Sequence, residues 1–255
     1  MRIKNKSWII LFGGLGREKI IFRLLKEKIK IDLIVIGKNP NRKFDKIIKN
    51  FKKLNLKVVI IKKDELNNLL KNFVDANLLS IGFPYIIAEK IFVRHKIAIN
   101  IHPTLLPKYR GPTSAAYVLI NNEKQSGSTV HYIDKEVDKG DIIAQSKIKI
   151  SKFDTYKSLK RKVYDTEPDL IIKSIHNIHN GIRAIKQDEN LASTYLKIRK
   201  PDDSKIDPKK PLIELFDEIR AADVEDFPSF FIYNNEKIYI KLWRKNKSEN
   251  EEDMI

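Results

Sequence analysis

Asn100 and His102 stand two residues apart in the run IAINIH at 97–102, which closes on Pro103. On an extended strand their side chains share one face, while Ile99 and Ile101 point to the other. An amide and an imidazole at the end of an otherwise apolar strand break the local pattern, and such breaks mark sites. Pro103 removes a ladder donor and confines His102 to extended backbone. Further along, Asp134, Glu136, Asp138 and Asp141 share a loop with Gly140 between STVHYI and DIIAQSKIKI. A carboxylate brought beside His102 is expected to raise its pKa and orient the ring. That would give an imidazolium able to donate to a developing oxyanion, with the Asn100 amide as a second donor. This set contains no strong nucleophile, so it suits a transfer in which the substrate supplies the nucleophile and the protein stabilises a tetrahedral intermediate. In the plainer alternative, His102 caps the strand through a backbone carbonyl and Asn100 orders the following loop.

Residues of this kind need elements to hold them. Short β-branched runs at 8–12, 31–37, 56–62, 77–82 and 97–102 predict five strands. Between them, 17–28, 42–54 and 64–74 space apolar residues three and four apart, which predicts amphipathic helices, the third capped by Asp64. Strands alternating with helices give an α/β fold with a mostly parallel sheet covered on both faces. Ligands of such sheets settle beyond the carboxyl ends of the strands, near a switch in strand order, where Asn100 and His102 fall. A helix at 114–123 and a strand pair at 128–133 and 141–150 follow. Residues 154–186 have a helical pattern with Pro168 near the middle: either two helices meet there or Pro168 occupies a first turn, a new helix starting near Glu167. After 187 the chain becomes dense in Pro, Asp and Lys, dividing it into a first domain at 1–190 and a small C-terminal α+β unit at 191–255. That unit holds a helix at 212–222 and a hairpin, FFIY, NNEK, IYIKLW; it is too small to fold alone and should pack against the first domain.

The chain has no cysteine, which excludes disulfides, thiolate metal sites and a Cys nucleophile and fits a reducing, cytoplasmic compartment. The basic start leads only into the short apolar run WIILF, which reads as a core strand and not a signal peptide, and no run is long enough to insert into a membrane. A net charge of +17 would attract an anionic partner, or be a solvated lysine-rich surface; no recognised nucleic-acid module accompanies it. GGLG at 13–16 lacks the spacing of a dinucleotide fingerprint, and no acid closes IDLIVIG. A tight strand-to-helix turn accounts for those glycines, with Gly14 placed where a helix start could face an acceptor phosphate. His176 and His179 have a spacing compatible with metal but no carboxylate at a matching offset, so no metal is expected. His131 could face the site or stand behind it. In the loop after His102, Leu105 and Leu106 can wall a flat slot, and Lys108, Tyr109 and Arg110 offer charge and stacking to an anionic acceptor.

NIHPTLLPKYRGP followed by SGSTVHYIDKEVDKGDIIAQ resembles the folate-dependent formyltransferase family, most specifically over 99–145 and more loosely over 7–185. The resemblance implies a Rossmann-like domain that uses N10-formyltetrahydrofolate. It assigns the catalytic asparagine, histidine and aspartate to Asn100, His102 and Asp138, selecting one of four acidic residues that spacing left open. It implies folate contacts at Gly82, Phe83, Pro84 and Tyr85, at Leu105 and Leu106, and at Asp134. Within the family, RKPDDSKID and IRAADVEDFPSFFIY are similar to the C-terminal unit of nucleotide-linked amino-sugar N-formyltransferases, with Ser229 where a glycine is expected and Asp226 ahead of Phe227. Methionyl-tRNA formyltransferases resemble the first domain but continue into a longer barrel. The resemblance therefore implies a homodimer acting on a nucleoside-diphosphate-linked deoxyamino sugar, such as dTDP-4-amino-4,6-dideoxyglucose, for surface polysaccharide. Formylation of methionyl-tRNA or another small amine, and mere folate or nucleotide binding, are the alternatives.

Overall fold

The computed structural model describes residues 6–38, 44–112, 114–195 and 197–255. Seven strands form one sheet: β1 (Trp8–Phe12), β2 (Ile31–Gly37), β3 (Val58–Ile61), β4 (Asn77–Ile81), β5 (Ala98–His102), β6 (Gln125–Tyr132) and β7 (Ile142–Lys149). Their order is β3-β2-β1-β4-β5-β6-β7. β1 to β5 pair in parallel, and β6 is antiparallel to both of its neighbours. All five residues of β1 and of β4 are buried, as expected of central strands covered on both faces. The order reverses between β1 and β4, which puts the switch point at the glycines that follow them, Gly13 and Gly82.

The helices are α1 (Lys19–Lys26), α2 (Asp45–Lys53), α3 (Leu66–Leu70), α4 (Glu89–Phe92), α5 (Ser114–Ile120), α6 (Tyr156–His179) and α7 (Leu212–Arg220). α1 and α6 cover one face, joining Ile20, Ile21, Leu24, Leu170, Ile171 and Ile175 to Ile10, Phe12, Ile99 and Ile101 of the sheet. α3 and α4 pack beneath the opposite face through Leu66, Leu70 and Ile91. Asp64 does not cap α3. It lies inside a 3-10 turn at Lys63–Glu65, and the carboxylate that accepts from the Lys62 N–H belongs to Glu65. The predicted helix at 42–54 is described only from Asp45, since 42 and 43 fall outside the described residues.

Pro168 neither divides α6 nor begins a helix: one helix of 24 residues runs through it. A proline there removes a helical hydrogen bond, a loss that tertiary packing must offset. The preceding residue supplies that packing. Glu167 is fully buried and takes two hydrogen bonds from the buried Arg17, at 2.6 and 2.5 Å. The helix begins on Thr155, whose hydroxyl accepts from the Ser158 N–H.

β8 (Ser229–Tyr233) and β9 (Glu236–Ile240) form the separate hairpin. Its turn is the two residues Asn234 and Asn235, both at positive φ (47° and 64°), the conformation a tight hairpin turn demands. Ile206, Leu215 and Ile219 build a small core beneath it. The tail returns to the start of α6, where Ile255 N–H donates to the Phe153 carbonyl and Thr155 to that of Asp253. Trp8 is buried in β1, whereas Trp243, just beyond the hairpin, is 74% exposed. No helix among the described residues is long and apolar enough to cross a membrane.

Candidate active site

The parallel pairing of β5 with β4 and its antiparallel pairing with β6 set Asn100 opposite His131, and His102 opposite Thr129. Alternation puts Asn100, His102 and His131 on one face of the sheet, and the loop after β6 folds back over that face. Gly140 makes this return possible: a Cβ there would lie 1.8 Å from the Tyr132 carbonyl oxygen. The loop brings Asp138 between the two imidazoles, with Oδ2 3.4 Å from His102 Nδ1 and Oδ1 3.5 Å from His131 Nε2. Of the four acidic residues of this loop, Asp138 is the one at His102. Asp134 is exposed and accepts from the Glu136 N–H of its own turn.

Each member of the cluster is further constrained. His102 Nε2 donates to the Tyr109 carbonyl at 2.8 Å, so Nδ1 is the nitrogen that faces Asp138. Tyr109 has φ 60°, a conformation rare outside glycine, and this backbone turn aims its carbonyl at the ring. Asp138 is also left-handed, at φ 56°, and its Oδ2 accepts from the Gly111 N–H at 2.9 Å. His131 Nδ1 donates to the Tyr132 carbonyl at 2.7 Å, leaving Nε2 to accept from Asn100 Nδ2 at 3.1 Å. One amide hydrogen of Asn100 is thereby held, and the other remains for a ligand, on a side chain that is only half-buried.

The electrostatics correct one expectation. Burial pushes the His102 imidazole below its ordinary pKa, and the opposing pull of Asp138 and of the Tyr109 carbonyl does not overcome it. At neutral pH His102 is therefore an uncharged imidazole with Nδ1 facing Asp138, not a standing imidazolium. The carboxyl of Asp138 would be raised by burial, but the two imidazoles and the Gly111 N–H hold it well below the usual carboxylate range. This produces an ionised carboxylate against an uncharged imidazole, in which Asp138 stabilises the charge that proton uptake creates.

The loop after His102 also departs from expectation. Arg110 is 1% exposed, with its guanidinium spent on Gln187 and Glu189, so it does not offer charge to an acceptor. Tyr109 is buried too; its ring stacks on Tyr195, which stacks on Tyr117, and its hydroxyl donates to Glu123. Lys108 alone of the three is exposed, 3.4 Å from Glu123. Leu106 is buried, and Leu105 is half-buried. Thr129 and Gln145 pin this turn from β6 and β7: Leu106 N–H donates to Thr129 Oγ1 at 3.0 Å and Gln145 Nε2 to the Leu106 carbonyl at 2.7 Å. Gly14 is buried, and a Cβ there would meet the Arg17 side chain at 2.6 Å, so its lack of a side chain makes room for that arginine.

Beyond β4, Gly82 (φ 59°) and Pro84 are exposed, and Phe83 and Tyr85 are half-buried, their rings edge-to-face at 5.3 Å. Pro84 folds over the ends of β1 and β2, where only glycine fits, at Gly13 and Gly37. The Tyr85 hydroxyl lies within hydrogen-bond reach of the Lys38 and Ile61 carbonyls, at 2.9 and 3.2 Å. This braced, accessible backbone fits a flat, hydrogen-bonding ring such as a pterin. Among the described residues no group of three or more His, Cys, Asp or Glu could hold a metal.

Residues 24–175 match the family described as formyl transferase. The chain belongs to this family. It is 30% identical to a methionyl-tRNA formyltransferase of Malacoplasma penetrans, across 92% of this chain and 76% of that one. It nevertheless spans about half the length of other curated relatives that it matches, 40% of the Fusobacterium nucleatum methionyl-tRNA formyltransferase and 56% of the Thermotoga maritima one. The fold is shared with WlaRD, a sugar 3N-formyl transferase solved with dTDP and 5-N-formyl-THF, at 26% identity and TM-score 0.69, covering 91% of this chain and 84% of that one. A Helicobacter canadensis N-formyltransferase solved with folinic acid and dTDP-3-aminofucose is likewise 26% identical, with TM-score 0.70, covering 91% and 86%. In this formyl transferase, sequence reasoning missed Arg17, Glu167, Thr129, Gln145 and Gln187. Thr129 and Gln145 lie within the quoted stretch and the other three outside it, and all five gain meaning only from what they touch.

Proposed function

We propose that this formyl transferase moves a formyl group from N10-formyltetrahydrofolate to the amine of a nucleoside-diphosphate-linked deoxyamino sugar, of which dTDP-4-amino-4,6-dideoxyglucose is one example, in the synthesis of surface polysaccharide. Support comes from extent: the likeness to the two sugar formyltransferases covers 91% of this chain, more than the first domain alone, and takes in most of both of those chains. The loop at Gly82–Tyr85, with Leu105 and Asp134, is read as the folate cradle. When bound there, N10-formyltetrahydrofolate supplies the formyl group in activated form. The free Asn100 N–H donates to the formyl oxygen as it gains charge, and His102 Nδ1 accepts the proton of the attacking amine. Asp138, 3.4 Å away, stabilises the imidazolium that results, and His102 gives that proton back to N10 as the bond from N10 to the formyl carbon breaks and tetrahydrofolate leaves. A cytoplasmic homodimer belongs to the same reading.

A second reading is favoured by one observation: the match to the Malacoplasma methionyl-tRNA formyltransferase also reaches across nearly the whole chain. The net charge of +17 suits either a pyrophosphate or tRNA. To decide, the protein is incubated with N10-formyltetrahydrofolate and, separately, with dTDP- and UDP-linked amino sugars and with charged methionyl-tRNA, and products are read by mass. A formylated sugar nucleotide is expected. Formylation of methionyl-tRNA alone would overturn the proposal in favour of the second reading, and folate binding without transfer to any acceptor would reduce the protein to a binding module.

A further inference from the structure

Gln187 lies outside the signature loops, in the stretch QDENLAST, yet it is 5% exposed. Its amide is used completely. Oε1 accepts from Arg110 Nε at 3.1 Å and Nη2 at 2.8 Å; Nε2 donates to the carbonyls of Asp138 and Gly140, both at 2.8 Å. Because a guanidinium only donates and a carbonyl only accepts, the orientation of this amide is fixed by its partners. Paired backbone hydrogen bonds of 2.8 Å between Ile142 and Ile185 hold the segment beside β7. Arg110 is held in turn, its second edge paired with Glu189 at 2.9 and 2.8 Å, its N–H donating to the Ser193 carbonyl and its own carbonyl accepting from Tyr195.

The two loops that meet at this amide are the two that form the site. Arg110 follows Tyr109, whose carbonyl holds His102 Nε2, and precedes Gly111, whose N–H holds Asp138 Oδ2. On the other side of the amide, Asp138 sits in a left-handed conformation that a side-chain-bearing residue keeps only when its surroundings impose it. We propose that Gln187 is a positioning residue that fixes the Asp138 carboxylate against His102, by tying the backbone of Asp138 and Gly140 to the buried guanidinium of Arg110. It touches no reacting atom. The inference rests on the function proposed above for its kinetic consequence, but not for its structural one.

The test uses the full-length chain with Gln187→Met, which keeps the length and removes every hydrogen bond, and Gln187→Glu, which keeps an acceptor for Arg110 and loses both donors. Formyl transfer and the titration of His102, followed by NMR with labelled histidine, are both measured. Besides Asp138, the charged or titratable groups that act on that ring include, among the described residues, His131 and Arg17, which neither variant alters. In both variants kcat is expected to fall about tenfold to a hundredfold, the effect of a small misplacement, with KM changed less. The His102 midpoint is expected to move further down as Asp138 is released. An unmoved midpoint in both variants overturns the inference, whatever happens to rate or melting temperature. If one variant fails to accumulate folded, the other decides. Should the wild-type protein formylate nothing, the proposed function fails, while the His102 titration still judges Gln187.

Discussion

Two buried charged clusters lie side by side under the ends of β4 and β5, and they are built on opposite terms. Arg17 and Glu167 face each other with two short, parallel hydrogen bonds; Glu167 accepts also from Ser128, and Arg17 donates to the Ile101 carbonyl and lies 4.9 Å from the Tyr164 ring. That cluster is closed. Asp138 lies 3.4 and 3.5 Å from its imidazoles, just beyond normal hydrogen-bond distance, next to an Asn100 amide with a hydrogen to spare. The first arrangement has paired its charges and serves the fold by locking the turn before α1 to the proline-bearing turn of α6. The second has kept capacity in reserve, as expected of groups that must change partners during a reaction.

The contrast can be broken first at its structural end. Glu167→Ala would strand Arg17 in the core and is expected to cost about 3 to 5 kcal/mol, read from chemical denaturation. A variant as stable as the wild type would show the pair to be dispensable. At the reactive end, Asn100→Ala is expected to lower kcat by about 100- to 1000-fold, the effect of losing one well-placed donor, while leaving the denaturation midpoint nearly unchanged. Equal loss of stability in both variants would erase the distinction. Replacing both partners of the closed pair, Arg17→Met with Glu167→Leu, is expected to recover most of the stability lost in Glu167→Ala, because no charge is then left unpaired.

The smallest effect is the response to acid. His102 is lowered by burial, so below its ordinary value of about 6.5 the unfolded chain takes up a proton that the folded one resists, and stability falls with pH. Asp138 is held low in the fold, so the stability it contributes is present above about pH 4 and is lost as the pH drops toward its folded value. Asp138→Asn should flatten this lower limb in a series of melts against pH. An unchanged limb would mean that other carboxylates govern it.

How much of this could be read from the residues depended on the range of the interaction. Strand alternation placed Asn100 and His102 on one face, and the apolar runs located all seven sheet strands to within a few residues, because burying even one face of a strand leaves a local mark in its sequence. Spacing could not choose among the four acids of the 134–141 loop, since the choice is made by the backbone turn at Asp138 and by the close passage of Gly140 over Tyr132. Residue type alone offers Arg110 and Tyr109 to an anionic acceptor; the partners that take them instead, Gln187, Glu189 and Tyr195, come from much later in the chain. Sequence spacing shows only the local penalty of Pro168, and not the partners that hold the helix on either side of it: Arg17, 150 residues from Glu167, and the core that takes up Leu170, Ile171 and Ile175.

The placement of the two tryptophans provides ready-made optical markers. Trp8, enclosed in the central strand, should emit in the blue and resist a dissolved quencher, whereas Trp243, standing in water beside the hairpin, should emit to the red and be extinguished readily. Loosening of the C-terminal unit and collapse of the sheet would then separate as two spectral components of one unlabelled protein.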